Sequence, residues 1–186
     1  METLSDSVLM GRVQAGETAQ LALLFERYHL ALFRYLLHLT GSRSLTEDLV
    51  QECFLRVLKY AASYDSSFAF QVWLYRMARN VYFDARHKRR FEVPDTEIRE
   101  IRSPEPIAED ILAQKEDSAL LQEALAKLPE DKREVLVLSR FHDLGYEDIA
   151  ALLKCEIGTV RVRVYRALKE LREKFCEIRG ERLYGV

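Results

Sequence analysis

Between Tyr146 and Arg172 the sequence YEDIAALLKCEIGTVRVRVYRALKELR is compatible with very few folds. Ile149, Leu152 and Leu153 form one apolar stripe, and Val160, Val164, Leu168 and Leu171 form a second at helical spacing. Lys154-Cys155-Glu156-Ile157-Gly158 between them leaves room only for a tight corner, and Ala150 is small where two helices would cross. Two short helices about that corner, a helix-turn-helix, bury both stripes. The second helix would carry Arg161, Arg163, Arg166, Lys169 and Arg172. The start of such a helix can enter a DNA major groove, where arginines read guanine edges and other cations hold phosphates. A solvated basic face on an ordinary helical hairpin would show the same pattern.

The rest of the chain must supply what this motif lacks, and its composition points to more helices. With 186 residues and 48% hydrophobic content there is enough apolar surface for one large or two small cores. Only seven Gly and four Pro occur, so an all-α protein is expected. The formal charge of −2 argues against wholesale polyanion binding, but it conceals blocks of opposite sign. Residues 76–90 are basic, 92–117 acidic and 161–174 basic again. Cys53, Cys155 and Cys176 are odd in number and lack CxxC spacing, as in a reduced compartment. METLSDSVLMGRVQ has no basic or apolar leader pattern and no run is long enough to span a membrane, so a cytoplasmic protein is expected.

From Leu4 to Leu39 apolar residues recur at three and four, including Leu21, Leu24, Phe25, Tyr28, Leu32, Phe33, Leu36 and Leu37, which predicts one or two core helices. Gly41 closes them. Ser44-Leu45-Thr46-Glu47 has the form of a capping box opening a new helix to about Lys59. Its seam of Leu49, Val50, Cys53, Phe54, Val57 and Leu58 should turn inward. Asp48, Gln51, Glu52 and Leu55 then share the opposite face at i, i+3, i+4 and i+7. A leucine ringed by carboxylates suits a partner bearing arginines, although a solvated face is the plainer reading.

After the loop Ala61-Ala62-Ser63-Tyr64-Asp65-Ser66-Ser67 a long helix is expected from about Ala69 to His87, with Phe70, Trp73, Leu74, Met77, Ala78 and Val81 as its core side. Tyr75, Arg76, Arg79, Tyr82, Phe83, Arg86, Lys88, Arg89 and Arg90 would lie elsewhere around it. Rings mixed with cations suit single-stranded nucleic acid, whose bases stack while arginines hold phosphates; aromatics at this spacing also suit a core. Residues 91–111 contain Pro94, Pro104 and Pro106 among many acids, a linker composition whose charge could shield the basic faces. Helical periodicity resumes from about Ile107 to Lys127. Leu128-Pro129-Glu130-Asp131 opens a further helix, whose Val135, Leu136, Leu138 and Phe141 should pack under the helix-turn-helix after a turn at Gly145.

Four segments in order, LTEDLVQECFLRVLK, FQVWLYRMARNVYFDARHKRR, LPEDKREVLVL and YEDIAALLKCEIGTVRVRVYRAL, resemble the bacterial sigma-70 family, and within it the small extracytoplasmic-function (ECF) sigma factors. The resemblance covers nearly the whole chain. It implies a region 2-like domain over 1–91, a linker over 92–112 and a region 4-like domain over 113–186. It further implies binding to core RNA polymerase, at its clamp and flap regions, with Asp48, Gln51, Glu52 and Leu55 facing the clamp. The loop at 61–69 resembles the element that captures a flipped −10 base, with Tyr64, Arg76, Arg79, Asn80, Tyr82, Arg86 and Arg89 as −10 and melting contacts. Arg161, Val162, Tyr165 and Arg166 match −35 base readers, and Arg163 and Lys169 would lie nearer phosphates.

By the same resemblance the protein would open promoter DNA for a polymerase that performs the chemistry. It would be no enzyme, would need no cofactor or metal, and would have an anti-sigma protein as a further partner. His29, His38, His87 and His142 are scattered, and no nucleophile is paired with a base in sequence. A stand-alone helix-turn-helix regulator and a DNA recombinase are the alternatives from other classes. The sequence departs from the family at Val162, where serine is usual, and at Lys154, where glycine is frequent in the turn. Leu168 and Gln71 stand where relatives are often basic.

Overall fold

The structure is a computed structural model that describes residues 4–92, 112–141 and 144–180, with side chains described for 4–89, 119–140 and 144–180. Its described residues form eight α-helices and two 3-10 turns. They divide into two compact units, residues 4–36 with 44–92, and residues 37–43 with 112–141 and 144–180. Most of the acidic linker expected at 92–112 lies outside the described residues.

In the first unit α1 (Asp6–Gln14) starts at Ser5, whose hydroxyl accepts a hydrogen bond from the Val8 N–H. It buries Leu9, Met10 and Val13. Asp6 accepts from the Arg27 guanidinium at 2.7 Å and from the Tyr28 hydroxyl, which ties α1 to α2 (Leu21–Thr40). The two-helix alternative for residues 4–39 is therefore the one realised. Gly41, at φ 65°, ends α2 in the left-handed region that glycine enters without strain. α3 (Arg43–Lys59) begins ahead of the expected capping box, so Ser44 sits inside its first turn and cannot cap it. α3 buries Thr46, Leu49, Val50, Cys53, Phe54 and Val57, while Leu58, expected inward, is exposed. A 3-10 turn at Ala61–Ser63 leads to α4 (Phe70–Glu92), which runs further than the sequence pattern suggested.

The buried face of α4 is also rotated from the expected one. Phe70, Leu74, Ala78 and Val81 are in the core as anticipated, but Tyr75 and Tyr82 join them, and Trp73 and Met77 sit half-buried at the margin. The Tyr75 ring meets Tyr35 of α2 edge-on at 5.1 Å, a favourable aromatic geometry that Tyr75 can reach only by facing inward.

The second unit contains α5 (Leu112–Ala126), α6 (Glu130–Phe141), α7 (Tyr146–Leu153) and α8 (Ile157–Arg179). Val135, Leu136, Val137 and Leu138 are all buried, so α6 is enclosed on every side along this stretch. Both α7 and α8 pack on it, and α8 also packs on α5. Along α8 the seam is Val160, Val164 and Ala167, with Leu168 and Leu171 half-buried beside it. A step of three after Val164 thus replaces the expected step of four to Leu168, and the small side chain of Ala167 fits the enclosed position.

Candidate functional site

On α3 the outward face is Asp48, Gln51 and Leu55, with Leu55 63% exposed. Glu52, assigned to the same patch, is half-buried because Arg56 one turn on donates from Nε to its Oε1 at 2.7 Å. Arg56 also donates from Nη1 to Asp84 Oδ2 on α4 at 2.5 Å. These hydrogen bonds, to Asp84 first and then to Glu52, hold the guanidinium firmly protonated. Part of the charge of Glu52 is therefore spent within the unit, whereas Asp48 has no ion pair among the described residues. Leu58 and Phe25 add apolar surface, Phe25 meeting the buried Phe54 edge-on at 4.9 Å.

The loop between α3 and α4 is tightly held. Tyr64 is only 6% exposed, its ring edge-on to Trp73 at 5.4 Å and to Phe70 at 6.0 Å, and its hydroxyl donates to the Phe68 carbonyl at 2.9 Å. Asp65 accepts from the Ser67 N–H at 2.9 Å, closing an Asx-type turn, and that bond lowers its carboxyl pKa. Gln14, at the end of α1, donates from Nε2 to the carbonyls of Ala61 and Tyr64 at 3.0 and 2.9 Å. This last link spans 47 and 50 residues, a distance at which no local pattern in the sequence signals it. Ser66, Ser67 and Phe68 are left facing solvent, Phe68 at 56% exposure.

Past the loop, α4 presents Asn80, Arg86, His87, Lys88 and Arg89 outward, with Arg76 and Arg79 half-buried. The Arg79 guanidinium lies over the Phe83 ring at 4.8 Å, a cation–π contact that orients it along the helix surface. A surface pocket beside Asn80 is lined by Arg56, Tyr60, Ser63, Met77, Phe83 and Asp84 as well, so the end of α3, the loop and α4 meet there. Two of the tyrosines assigned to DNA contact are in the core: Tyr64, and Tyr82 at 8% exposure. The mixture of rings and cations on this helix resolves into a cationic outer face backed by buried aromatics.

In the second unit the corner between α7 and α8 turns at Lys154, which has left-handed backbone angles, φ 52° and ψ 49°. The Cys155 N–H donates to the Ala150 carbonyl at 3.0 Å and closes the end of α7. At about 100° per residue, Val162, Tyr165, Arg166 and Lys169 fall opposite the buried Val160, Val164 and Ala167. Arg161 and Arg163 flank that outer face on either side, and all six are exposed, Tyr165 at 71%. None of these four cations forms an ion pair with a described residue. Lys132 of α6 instead pairs with Glu170, holding α8 from its inner side. The helix therefore offers bare positive charge around one valine and one tyrosine.

Among the described residues no group of three or more His, Cys, Asp or Glu could hold a metal ion, and no helix is long and apolar enough to cross a membrane. The cysteines are free thiols, and burial pushes Cys53 up to about 12, which leaves it unreactive near neutrality.

Residues 24–92 match the family model for Sigma-70 region 2, and residues 118–171 match that for Sigma-70, region 4. The RNA polymerase sigma-H factor of Pseudomonas aeruginosa is 31% identical over 176 residues, covering 87% of this chain and 89% of that protein. The ECF RNA polymerase sigma-E factor of Escherichia coli K12 is 32% identical over 187 residues, covering 93% and 95%. Among solved structures, the sigma factor RpoE of Bartonella quintana, in complex with the anti-sigma factor NepR, aligns with a TM-score of 0.73 at 28% identity over 82% of this chain and 94% of that one. CnrH, in complex with the cytosolic domain of CnrY, shares the fold with a TM-score of 0.69 at 22% identity, covering 90% and 95%.

Proposed function

The chain belongs to the sigma-70 family, and from that premise we propose how its surfaces divide the work of an ECF sigma factor. As such a factor it binds core RNA polymerase, directs it to promoters through their −10 and −35 elements and promotes melting. The family consists of non-enzymatic initiation factors, and RNA synthesis belongs to the polymerase. In our reading residues 1–91 bind core and handle the −10 element, residues 113–186 read the −35 element, and 92–112 connect them.

The exposed Asp48, Gln51 and Leu55 of α3 face the polymerase clamp, with Glu52 held at the margin of that surface by Arg56. Asn80, the loop at 61–69 and the pocket they share receive the flipped −10 base; Arg76, Arg79, Arg86 and Arg89 run along the displaced strand. Tyr64 and Tyr82 act from within, Tyr64 by shaping the loop and Tyr82 by seating α4. On α8, Arg161, Val162, Tyr165 and Arg166 contact −35 bases while Arg163 and Lys169 hold phosphates; Val162 presents a methyl surface suited to thymine. By its likeness to the Bartonella quintana factor, an anti-sigma protein is a further partner, and by its polymerase partner the protein belongs in the cytoplasm.

The observation that carries this division is one chain bearing an exposed acid-and-leucine face on α3 and an exposed, unpaired cationic face on α8. Transcription from a random promoter library with purified core polymerase tests it, since enriched templates should share two spaced motifs. Asp48→Arg should cut capture of core polymerase on the order of tenfold, because it puts a like charge where a basic partner docks. Equal capture by wild type and variant would remove α3 from the polymerase interface.

A further inference from the structure

We infer that Gln14 is a positioning residue for −10 recognition, holding the loop at 61–69 in the pose that receives the extruded base. The inference rests on the reading of that loop given above and extends it to a helix that lies outside the region 2 match at 24–92.

A neutral carboxamide has two N–H donors on one nitrogen, and Gln14 uses both. One reaches the Ala61 carbonyl at 3.0 Å and the other the Tyr64 carbonyl at 2.9 Å. These oxygens bracket the 3-10 turn Ala61–Ser63, and Ala61 also accepts the Tyr64 N–H at 3.0 Å. One side chain therefore ties both ends of the turn. It comes from an element that cannot easily shift, because α1 buries Leu9, Met10 and Val13 and is held at its other end through Asp6 by Arg27 and Tyr28. Downstream, the Tyr64 hydroxyl and the Asp65–Ser67 turn continue the restraint to Phe68. Ser66, Ser67 and Phe68 are thereby offered to solvent from a backbone that is already ordered.

Preorganisation matters here because extruding a base costs a few kcal/mol of unstacking, and a loop that must also be ordered on binding adds to that cost. A carboxylate of the same shape could not replace the amide. It would donate nothing and would set one charged oxygen, in place of Nε2, against both carbonyl oxygens.

The test uses holoenzyme assembled from the full chain and core polymerase on a promoter selected from the random library. Wild type, Gln14→Glu, Gln14→Met and Phe68→Ala are compared for core affinity, −35 base preference, −10 base preference and permanganate reactivity of the melted strand. Both Gln14 variants should lose open complex by on the order of tenfold or more and flatten the −10 preference, since small misplacements of a binding group cost at least this much. Core affinity and −35 preference should stay at the wild-type level, a split that general loss of structure would not produce. Phe68→Ala, on the exposed loop itself, should also alter the −10 preference. If it does while Gln14→Met matches wild type, Gln14 has no positioning role and the loop reading stands. If Phe68→Ala and both Gln14 variants all retain the −10 preference, the loop reading falls and the inference falls with it. If the Gln14 variants lose core binding in the same proportion as open complex, Gln14 merely supports the fold and the inference is overturned.

Discussion

Lys154 carries a backbone conformation that an L side chain adopts at a cost. Among the described residues it is the one non-glycine with positive φ. The corner of the helix-turn-helix survives this because Ile149, Ala150 and Leu152 on one side and Val160 and Val164 on the other are buried together. Lys154→Gly should therefore stabilise the second unit by about 1 kcal/mol, the relief of left-handed strain less the extra freedom of glycine in the unfolded chain. Urea titration followed by far-UV circular dichroism reads this directly, and an unchanged or lower midpoint would mean that the turn is not strained. The spacing of the two apolar stripes announced a corner within residues 154–158 but not which residue turns it, and α8 takes up Ile157 and Gly158, leaving the turn to Lys154, Cys155 and Glu156.

At the scale of elements, the join between α5 and α6 depends on a residue with no periodic signal. Arg133 is a buried cation whose Nε donates to the Leu125 carbonyl at 2.9 Å, and whose Nη2 donates to those of Ala126 at 2.6 Å and Leu128 at 3.0 Å. Leu125 and Ala126 belong to the last turn of α5, where the i+4 donors run out, and Leu128 lies just past it, so the guanidinium fork gathers three carbonyls at the end of that helix. Arg133→Met keeps much of the volume but strands the acceptors, so a loss of about 2 kcal/mol or more is expected in the same urea titration. A loss under about 0.5 kcal/mol, the ordinary range for surface substitutions, would show that water replaces the fork at no cost. α4 shows the complementary point. Its aromatic and cationic residues are spread all round the helix, so spacing established that a helix forms but not which of two adjoining faces meets the core.

For the whole molecule, the buried acids of the first unit make a statement about alkaline stability. Burial pushes the Cys53 thiol from 9.0 up to about 12 and raises Tyr28 and Tyr75 above their ordinary 10.0 for the same leading reason. In each case the folded state retains a proton that the unfolded chain releases. Their contribution is fully present below pH 9 and is lost as pH rises towards the folded values. The urea midpoint reported by the single tryptophan, Trp73, should hold steady from pH 7 to about 8.5 and then fall. Cys53→Ala should delay the fall until the tyrosines titrate, near 10 in the unfolded chain. A midpoint still flat at about pH 11 would contradict the burial of these groups.

The residues in order already carried the all-helical architecture, the helix-turn-helix with its corner within residues 154–158, and the outward placement of Asp48, Gln51, Leu55 and the α8 cations. Each follows from a 3.6-residue period and a short connection, which are local properties of the chain. The inward turn of Tyr64, Tyr75 and Tyr82, the capture of Arg56 by Asp84, the Arg133 fork and the Gln14 clamp were not legible there. Each depends on which surface a helix meets or on a side chain reaching backbone or a charge elsewhere in the chain. No periodicity encodes such a contact, because it exists only once the helices have packed.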